Sequence, residues 1–278
     1  MTSPAIPLAP HRIAHDTYLI PSLVPAGPGA FVPINSMVIL GAEPVIVDTG
    51  GLLMREQWLA QVRTLLDLED VRWVFLSHDD ADHTGNVMPI LEAAPKAKVI
   101  STFFMTERMK ADFDLPLDRL RWVNAGESFH VGDRTLHTVL PPLFDSPVTR
   151  GLFDPTSGVL WAADAFASMV EEDTLEARQV NPEMYRETFG MFNSMNSPWH
   201  QWLDARKWNR HVDTVQSLPL TAVASGHGPV TRGLHLDAAF RMARALAGMP
   251  VAPSPGQEML DQLVAQVTAP SPTLALAA

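Results

Sequence analysis

Apolar residues along this chain form short runs bounded by turn residues, and between them lie longer segments with apolar residues three or four positions apart. The short runs are typical of buried strands and the spaced segments of helices that bury one face. The pattern predicts strands at 17–20, 35–40, 44–47, 71–76, 98–101, 135–140, 158–162 and 220–224. It predicts helices at 52–66, 87–94, 104–113, 182–216 and 234–247.

The order of these elements indicates the fold class. Strands and helices mix without strict βαβ alternation, a pattern that two sheets covered by helices on both sides would accommodate. Residues 11–248 are expected to form one domain of this mixed α/β (α+β) type. Residues 1–10 are expected to be a flexible lead-in, and 249–278 a proline-rich tail with one short helix at 257–267.

Charge and cysteine content exclude several classes of protein. The formal net charge is -11, which disfavours binding to phosphate backbones or anionic lipid. The chain contains no cysteine, so disulfides, thiolate ligands, iron–sulfur clusters and cysteine nucleophiles are excluded. The N-terminus lacks a basic and apolar signal pattern, and no apolar run is long enough to span a bilayer. A cytoplasmic location is therefore expected.

Histidines and aspartates concentrate directly after three of the predicted strands. The stretch 77–83 reads Ser-His-Asp-Asp-Ala-Asp-His and follows strand 71–76. Asp164 follows strand 158–162, and His227 follows strand 220–224. Loops at strand ends hold side chains in place on a rigid sheet, and donors at this spacing can converge on one metal ion.

These motifs resemble those of the metallo-β-lactamase superfamily over roughly residues 15–245. The stretch from His78 to His83 matches the pattern His-x-[His/Glu/Asp]-x-Asp-His, and Val47-Asp48-Thr49-Gly50 matches an earlier strand end. Asp164 matches the metal-bridging aspartate, and Gly226-His227-Gly228 matches the late histidine turn. The resemblance implies a four-layer αββα sandwich with two mixed sheets and a site for two metal ions.

Within the superfamily, the chain is most similar to the diiron core of flavodiiron proteins and to short oxygen-binding relatives without a flavodoxin domain. Asp80 stands where zinc hydrolases mostly have histidine and flavodiiron proteins have glutamate. The strand around Asn35-Ser36, the turn Asp145-Ser146-Pro147 and the stretch 161–166 resemble parts of that core. The motif His-x-Asp-x-Asp-His also occurs in nuclease-like members of the superfamily. It does not by itself distinguish them from flavodiiron cores.

The resemblance divides the candidate ligands between two metals. The first metal would be bound by His78, Asp80 and Asp145, the second by Asp82, His83 and His227, with Asp164 as the bridge. Asp82 and Asp164 are the candidate catalytic residues. Four aspartates balance the charge of two divalent ions, and so oxygen-rich a ligand set favours iron over zinc, with manganese as a further option.

Asp145 is the ligand at which the chain departs from the family pattern, because the family usually supplies a histidine about sixty residues after the first motif. No histidine occurs at 140–147. Asp145 is the candidate replacement and His137, on the preceding strand, is the alternative. A third interpretation has Asp145 hydrogen bonding within its own turn, as aspartate often does before Ser and Pro.

Three functions are compatible with such a site. The first is a non-heme diiron protein that binds or reduces dioxygen or a related small molecule with electrons from an external transfer protein. The second is a hydrolase of an ester, lactone or phosphodiester that uses a metal-bound hydroxide. The third is a non-catalytic oxygen sensor. The fold does not choose among them, and a homodimer is left open as the oligomeric state.

Other candidate residues have plainer interpretations. Asp48 is expected to brace the metal loop by hydrogen bonds instead of binding metal. His200 and His211 are expected to be ordinary helix-face histidines. A group of large apolar residues is expected to pack in the core, with a roof over the metals as the alternative: Met191, Phe192, Met195, Trp199, Trp202 and Trp208.

Overall fold

Two mixed sheets lie at the centre of the computed structural model, which describes residues 5–268. Within these residues the first sheet contains β1 (Ile6–Pro7), β2 (His11–Arg12), β3 (Thr17–Gly27), β4 (Ala30–Ile39), β5 (Val45–Val47), β6 (Trp73–Phe75), β7 (Lys98–Ser101) and β8 (Leu120–Trp122). The second contains β9 (Ser128–His130), β10 (Thr135–Val139), β11 (Gly151–Asp154), β12 (Val159–Trp161), β13 (Ala222–Ser225) and β14 (Gly228–Arg232).

Helices cover the outer face of both sheets. The helices of the described residues are α1 (Arg55–Arg63), α2 (Ala81–Thr84), α3 (Val87–Ala93), α4 (Phe103–Met109), α5 (Pro182–Asn196), α6 (Ala205–Gln216), α7 (Leu234–Ala245) and α8 (Gln257–Thr268), and of these α8 is exposed and covers neither sheet. One apolar cluster lies between the sheets and includes Phe75 and Trp161. A second packs α1, α3 and α4 on the first sheet, and a third packs α5, α6 and α7 on the second. The predicted four-layer αββα sandwich is confirmed.

The hairpin of β3 and β4 differs most in length from the predicted strands. Predicted strands 17–20 and 35–40 extend in the structure to Thr17–Gly27 and Ala30–Ile39. Pro21, Pro25 and Pro33 hid this extension, because proline cannot donate to a ladder and usually marks a loop. In an antiparallel pair only alternate residues donate toward a given neighbour, so the hairpin tolerates them.

The predicted helix 182–216 is in fact three elements. Helix α5 ends at Asn196, a 3-10 helix covers Pro198–Trp202, and α6 begins at Ala205. Pro198 cannot continue the hydrogen-bond pattern of α5. Asp204 then caps α6 by accepting hydrogen bonds from the backbone N–H groups of Arg206 and Lys207 at 2.8 and 3.1 Å.

The N-terminal end of the chain differs from the expectation. Part of the lead-in 1–10, predicted to be flexible, forms strand β1, in which Ile6 pairs with Leu23; residues 1–4 lie outside the described residues. The tail helix predicted at 257–267 is α8, and residues 269–278 lie outside the description. Across residues 5–268, no helix combines the length and hydrophobicity that a bilayer crossing requires.

Parallel strands bring the candidate motifs to one edge of the sandwich. Strands β5, β6 and β7 run parallel, as do β12 and β13, so the loops after them leave the sheets together. The two sheets meet at this edge, where Asn35 N–H donates to Gly226 O at 2.9 Å and Arg150 N–H donates to Ser77 O at 2.8 Å. We call it the carboxyl edge.

Candidate metal centre

Three predicted ligands form the first metal position at the carboxyl edge. His78 follows β6, Asp80 precedes α2, and Asp145 lies in the loop after β10. His78 Nε2 is 3.7 Å from Asp80 Oδ2 and 3.7 Å from Asp145 Oδ2. Their ligand atoms all lie within 4.8 Å of one another, close enough to share one ion.

Three further ligands form the second position beside it. Asp82 and His83 lie on α2, and His227 lies in the turn between β13 and β14. Asp82 Oδ2 is 3.2 Å from His227 Nε2 and 3.7 Å from His83 Nε2. These three ligand atoms also fit within 4.8 Å. The histidine rings are in contact, with the His83 and His227 centroids 5.4 Å apart.

Asp164 lies between the two positions. Its Oδ1 is 3.0 Å from His83 Nε2, and its Oδ2 is 3.4 Å from His227 Nε2 and 3.7 Å from His78 Nε2. A carboxylate in contact with imidazoles of both groups can bind two metals at once. The structure thus brings together all seven predicted site residues.

Several buried ligand atoms have no hydrogen-bond partner. They are His78 Nε2, His83 Nε2 and Asp164 Oδ1; the last two atoms lie 3.0 Å apart but not in hydrogen-bond geometry. A buried polar atom without a partner costs roughly 1–3 kcal/mol, so proteins rarely leave three of them together. The three atoms belong to one cluster, and a metal ion accepts electron pairs from such donors. The residues therefore fit two metal ions.

Opposite charges within the cluster shift its pKa values. Burial by itself lowers the pKa of His227, but the Asp164 carboxylate and the hydrogen bond with Asp82 raise it to about 10. The pKa of His83 is likewise raised against its burial. Burial raises the pKa of Asp164, yet the imidazoles around it, including that of His78, hold it well below the usual range. Metal ions compete with these imidazole protons.

Asp80 differs from Asp164 in that its pKa is raised above the usual range of an aspartate. Its partial burial raises the pKa, and repulsion from Asp145 and Asp164 raises it further, against the attraction of His78. The remaining carboxylate of the motif, Asp79, is neutralised within the protein, since Arg108 Nε lies 2.6 Å from its Oδ2.

Asp48 braces the second position, as predicted. It is fully buried, and its carboxylate accepts hydrogen bonds from His83 Nδ1 at 2.9 Å, Trp161 Nε1 at 2.9 Å and the Ser77 hydroxyl at 2.6 Å. A proton fixed on Nδ1 leaves the His83 Nε2 lone pair free for metal. Asp48 also has φ 56°, a left-handed conformation unusual for a residue other than glycine.

The His227 turn is held by residues from the other sheet. Asn35 Nδ2 donates to Ser225 O at 2.8 Å and to Gly228 O at 2.9 Å, on either side of the histidine. His227 Nδ1 donates to Pro33 O at 2.9 Å. Gly226 has no room for a side chain, because a Cβ there would lie 2.7 Å from His83 Cε1.

Asp145 both points to the site and bonds within its own loop, which the sequence presented as alternatives. Oδ1 accepts a hydrogen bond from the Thr149 hydroxyl at 2.9 Å, while Oδ2 faces His78. Trp199 Nε1 donates to Phe144 O at 2.8 Å and fixes the preceding residue. Sequence analysis did not single out Thr149, because the spacing of one threonine after one aspartate carries no distinctive signal.

The other candidates lie elsewhere. His137 is exposed on β10 and is not among the described residues that converge on the cluster. Trp208 is buried in the core outside the second sheet, as core packing predicts, whereas Trp202 is 78% exposed. His200 was expected on a helix face but is fully buried, with its Nδ1 2.7 Å from Leu246 O. His211 is partly buried near Pro141 O.

Residues 32–228 match the model of the family described as ODP family beta lactamase. This match covers most of the chain and every residue of the cluster. The chain belongs to this ODP family. The predicted resemblance to the metallo-β-lactamase superfamily is therefore confirmed.

Three longer proteins are similar to this ODP-family chain. A putative diflavin flavoprotein A 1 of Nostoc sp. is 26% identical over 200 residues, which cover 70% of this chain and 33% of the relative. The rubredoxin oxygen:oxidoreductase of Desulfovibrio gigas has a TM-score of 0.73 at 14% identity, covering 85% of this chain and 61% of that one. The metal-soaked Flv1 flavodiiron core from Synechocystis sp. has a TM-score of 0.72 at 18% identity, with 87% and 61% covered. These structural similarities concern the fold.

Proposed function

We propose that this ODP-family chain is a non-heme diiron protein that binds or reduces dioxygen or a related small molecule. The observation that carries the proposal is the group of three unpartnered ligand atoms, His78 Nε2, His83 Nε2 and Asp164 Oδ1, inside a carboxylate-rich cluster. Hard oxygen donors with a few imidazoles suit iron, which changes oxidation state, better than zinc. Two of the similar structures carry names that mention iron or oxygen chemistry.

The seven residues would divide the work of holding the metals. His78, Asp80 and Asp145 would hold the first ion, and Asp164 would join it to the second. The second would be held by the ligands on α2 and by the turn histidine, namely Asp82, His83 and His227. When bound, the irons would supply the electrons and the open coordination sites that dioxygen chemistry needs.

The protein groups around the site orient its ligands and keep water from its inner side. Asp48 fixes the His83 ring, and the packed interior between the sheets keeps water from the inner side of the cluster. Asp80 and Asp82, whose side chains are 54% and 32% exposed, form its solvent side. A small molecule would enter there and meet Asp82, whose carboxylate lies beside both imidazoles of the second position. Asp82 and Asp164 are thus the proposed catalytic residues.

Electrons would come from a separate donor protein. The chain contains no cysteine and therefore no ligand for rubredoxin-type or iron–sulfur iron. The chain spans between a third and a half of the length of the curated relatives it matches, several of which are named flavoproteins. We propose a cytoplasmic protein whose donor is an external flavin or iron protein.

The test is metal analysis of protein made in iron-supplemented medium, followed by absorption spectra. We expect close to two irons per chain and a ligand-to-metal band that changes on reduction and again on exposure to air. Continuous dioxygen consumption with a chemical reductant would support a reductase, and a single stoichiometric uptake an oxygen sensor. Two tightly held zinc ions, without iron uptake when zinc is withheld, would contradict the proposal and favour the hydrolase.

A further inference from the structure

The two metal positions differ in the chemistry of their donors. The first has one imidazole and two carboxylates, from His78, Asp80 and Asp145. The second has two imidazoles and one carboxylate, from Asp82, His83 and His227. Carboxylates prefer hard ions such as Mn²⁺, and imidazoles prefer later ions such as Zn²⁺. The shared Asp164 does not change this contrast.

The positions also differ in how far their ligands are exposed. In the first position the Asp80 side chain is 54% exposed and that of Asp145 is 20% exposed. His78 of the first position is buried, and in the second Asp82 is 32%, His227 14% and His83 1% exposed, so the most exposed ligand, Asp80, belongs to the first position. Water and small chelators reach an exposed carboxylate more readily than a buried ring. The first ion is therefore the more accessible to exchange.

Hydrogen bonds fix the second position more firmly. His83 Nδ1 donates to the Asp48 carboxylate, and His227 Nδ1 donates to Pro33 O. In the first position, His78 Nδ1 contacts the Ser77 hydroxyl at 3.0 Å, whereas the Asp80 carboxylate accepts no hydrogen bond from the described residues. Asp145 has a single side-chain support, the Thr149 hydroxyl at 2.9 Å, and Thr149 is fully buried.

We infer that the two positions bind metal unequally: the first is an exchangeable, oxygen-preferring site that Asp145 defines and Thr149 orients, and the second retains its ion. This inference rests on the proposed two-metal function. Thr149 is a positioning residue, because its hydroxyl contacts Asp145 and none of the other ligands. The first position would then exchange its ion with added Mn²⁺ or Fe²⁺, while the second would keep the ion it holds.

The experiment is a chelator challenge on the full-length chain. Metal-free protein is refilled with two equivalents of Mn²⁺ or, separately, Zn²⁺, treated with graded EDTA, desalted and analysed for metal. We expect release in two steps separated by about tenfold or more in EDTA, since a difference in ligand support typically changes metal affinity by 10–100-fold. The variant His227→Ala should lose the late step and keep the early one.

Thr149 variants test the positioning role. Thr149→Val keeps the shape but removes the hydroxyl, so its early step should move to about tenfold lower EDTA while the late step stays. Thr149→Ser keeps the hydroxyl and should match the parent chain. Asp145→His should weaken retention of Mn²⁺ and strengthen that of Zn²⁺ in the early step only.

Two outcomes would overturn the inference. One is release of both ions in a single step from the parent chain, and the other is equal behaviour of Thr149→Val and Thr149→Ser. The experiment uses manganese and zinc, so its result is separate from the iron test. A chain that takes up no iron yet shows two steps would contradict the proposed function alone. A diiron chain that releases both ions together would contradict the inference alone.

Discussion

Buried charged groups occur at both edges of the sandwich, but they have protein partners at one edge and lack some of them at the other. At the edge opposite the metal cluster, Arg134 pairs with Asp16, with Asp133 at 2.9 Å and with Asp154 at 3.1 Å. The Arg134 side chain is 4% exposed and its guanidinium has protein partners. At the carboxyl edge, His78, His83 and Asp164 are also buried, but one atom of each has no hydrogen-bond partner.

The difference separates a structural cluster from a ligand site. A cluster that satisfies its own charges stabilises the fold and needs nothing more. A cluster that leaves several buried ligand atoms without hydrogen-bond partners gains stability when cations bind to it. Counting unpartnered atoms is therefore more informative here than counting charged residues, since both edges contain several.

Removal of the bridging ligand should give the largest effect. Asp164→Ala takes a ligand from both positions, so bound metal should fall from about two ions per chain to nearly none. His227→Ala removes a ligand from the second position alone and should leave about one. Elemental analysis after desalting measures both. Full occupancy in the Asp164→Ala chain would show that the bridge is misplaced.

Disruption of the opposite edge should change stability and leave metal content intact. Arg134→Leu leaves Asp16 and Asp154 without their cation, and the loss of one partner of a buried pair costs about 3–5 kcal/mol. Urea unfolding of the metal-loaded chains measures this cost. If metal content fell in parallel, the two edges would not be independent and the comparison would fail.

Metal removal should destabilise the carboxyl edge by a smaller amount. An ion that binds only the folded chain stabilises it by about 2.7 kcal/mol when the free ion is at 100 times its Kd. The thermal midpoint should fall on treatment with a chelator and recover on refilling. Arg134→Leu should show the same metal-dependent shift as the parent chain, whereas Asp164→Ala should show almost none.

The smallest expected effect is a pH dependence at Glu176. Burial raises its pKa, but the hydrogen bond with His11 and the ion pair with Arg232 outweigh burial and hold the pKa below the usual glutamate range. The stabilisation is therefore present at neutral pH and is lost as the pH falls through that lowered value. Glu176→Gln should cost about 1 kcal/mol at pH 7. Thermal midpoints of the two chains should converge below pH 4; a constant gap would contradict this.

The motif at 78–83 could be predicted because its chemistry is local in sequence. Six consecutive positions place two imidazoles and three carboxylates after a strand, and few structural roles need such a combination. Asp164 and His227 could be added because each follows a predicted strand. Their convergence with His78 depends on the parallel order of strands in two sheets, which the family resemblance supplied and apolar spacing did not.

The parts that could not be predicted depend on contacts between distant segments. The orientation of Asp145 depends on Thr149 and on Trp199, which fixes the neighbouring Phe144 carbonyl. The strands of the β3–β4 hairpin were predicted too short because their prolines were interpreted as loop signals. The long antiparallel ladder tolerates these prolines. The break at Pro198 was missed because apolar spacing on either side of it was continuous enough to suggest one helix.

The origin of the ligands has a mechanical consequence. Each position takes two ligands from the loops of the first sheet, and Asp145, Asp164 and His227 all come from loops of the second. Each bound ion would therefore cross-link the two halves of the chain, as a disulfide does in a protein that contains cysteine. A chain cut between β8 and β9 would carry an incomplete set of ligands on each piece, so metal would tie the fragments together. Removal of metal would therefore weaken the contact between the two sheets at the carboxyl edge, and its effect would not be limited to a single loop.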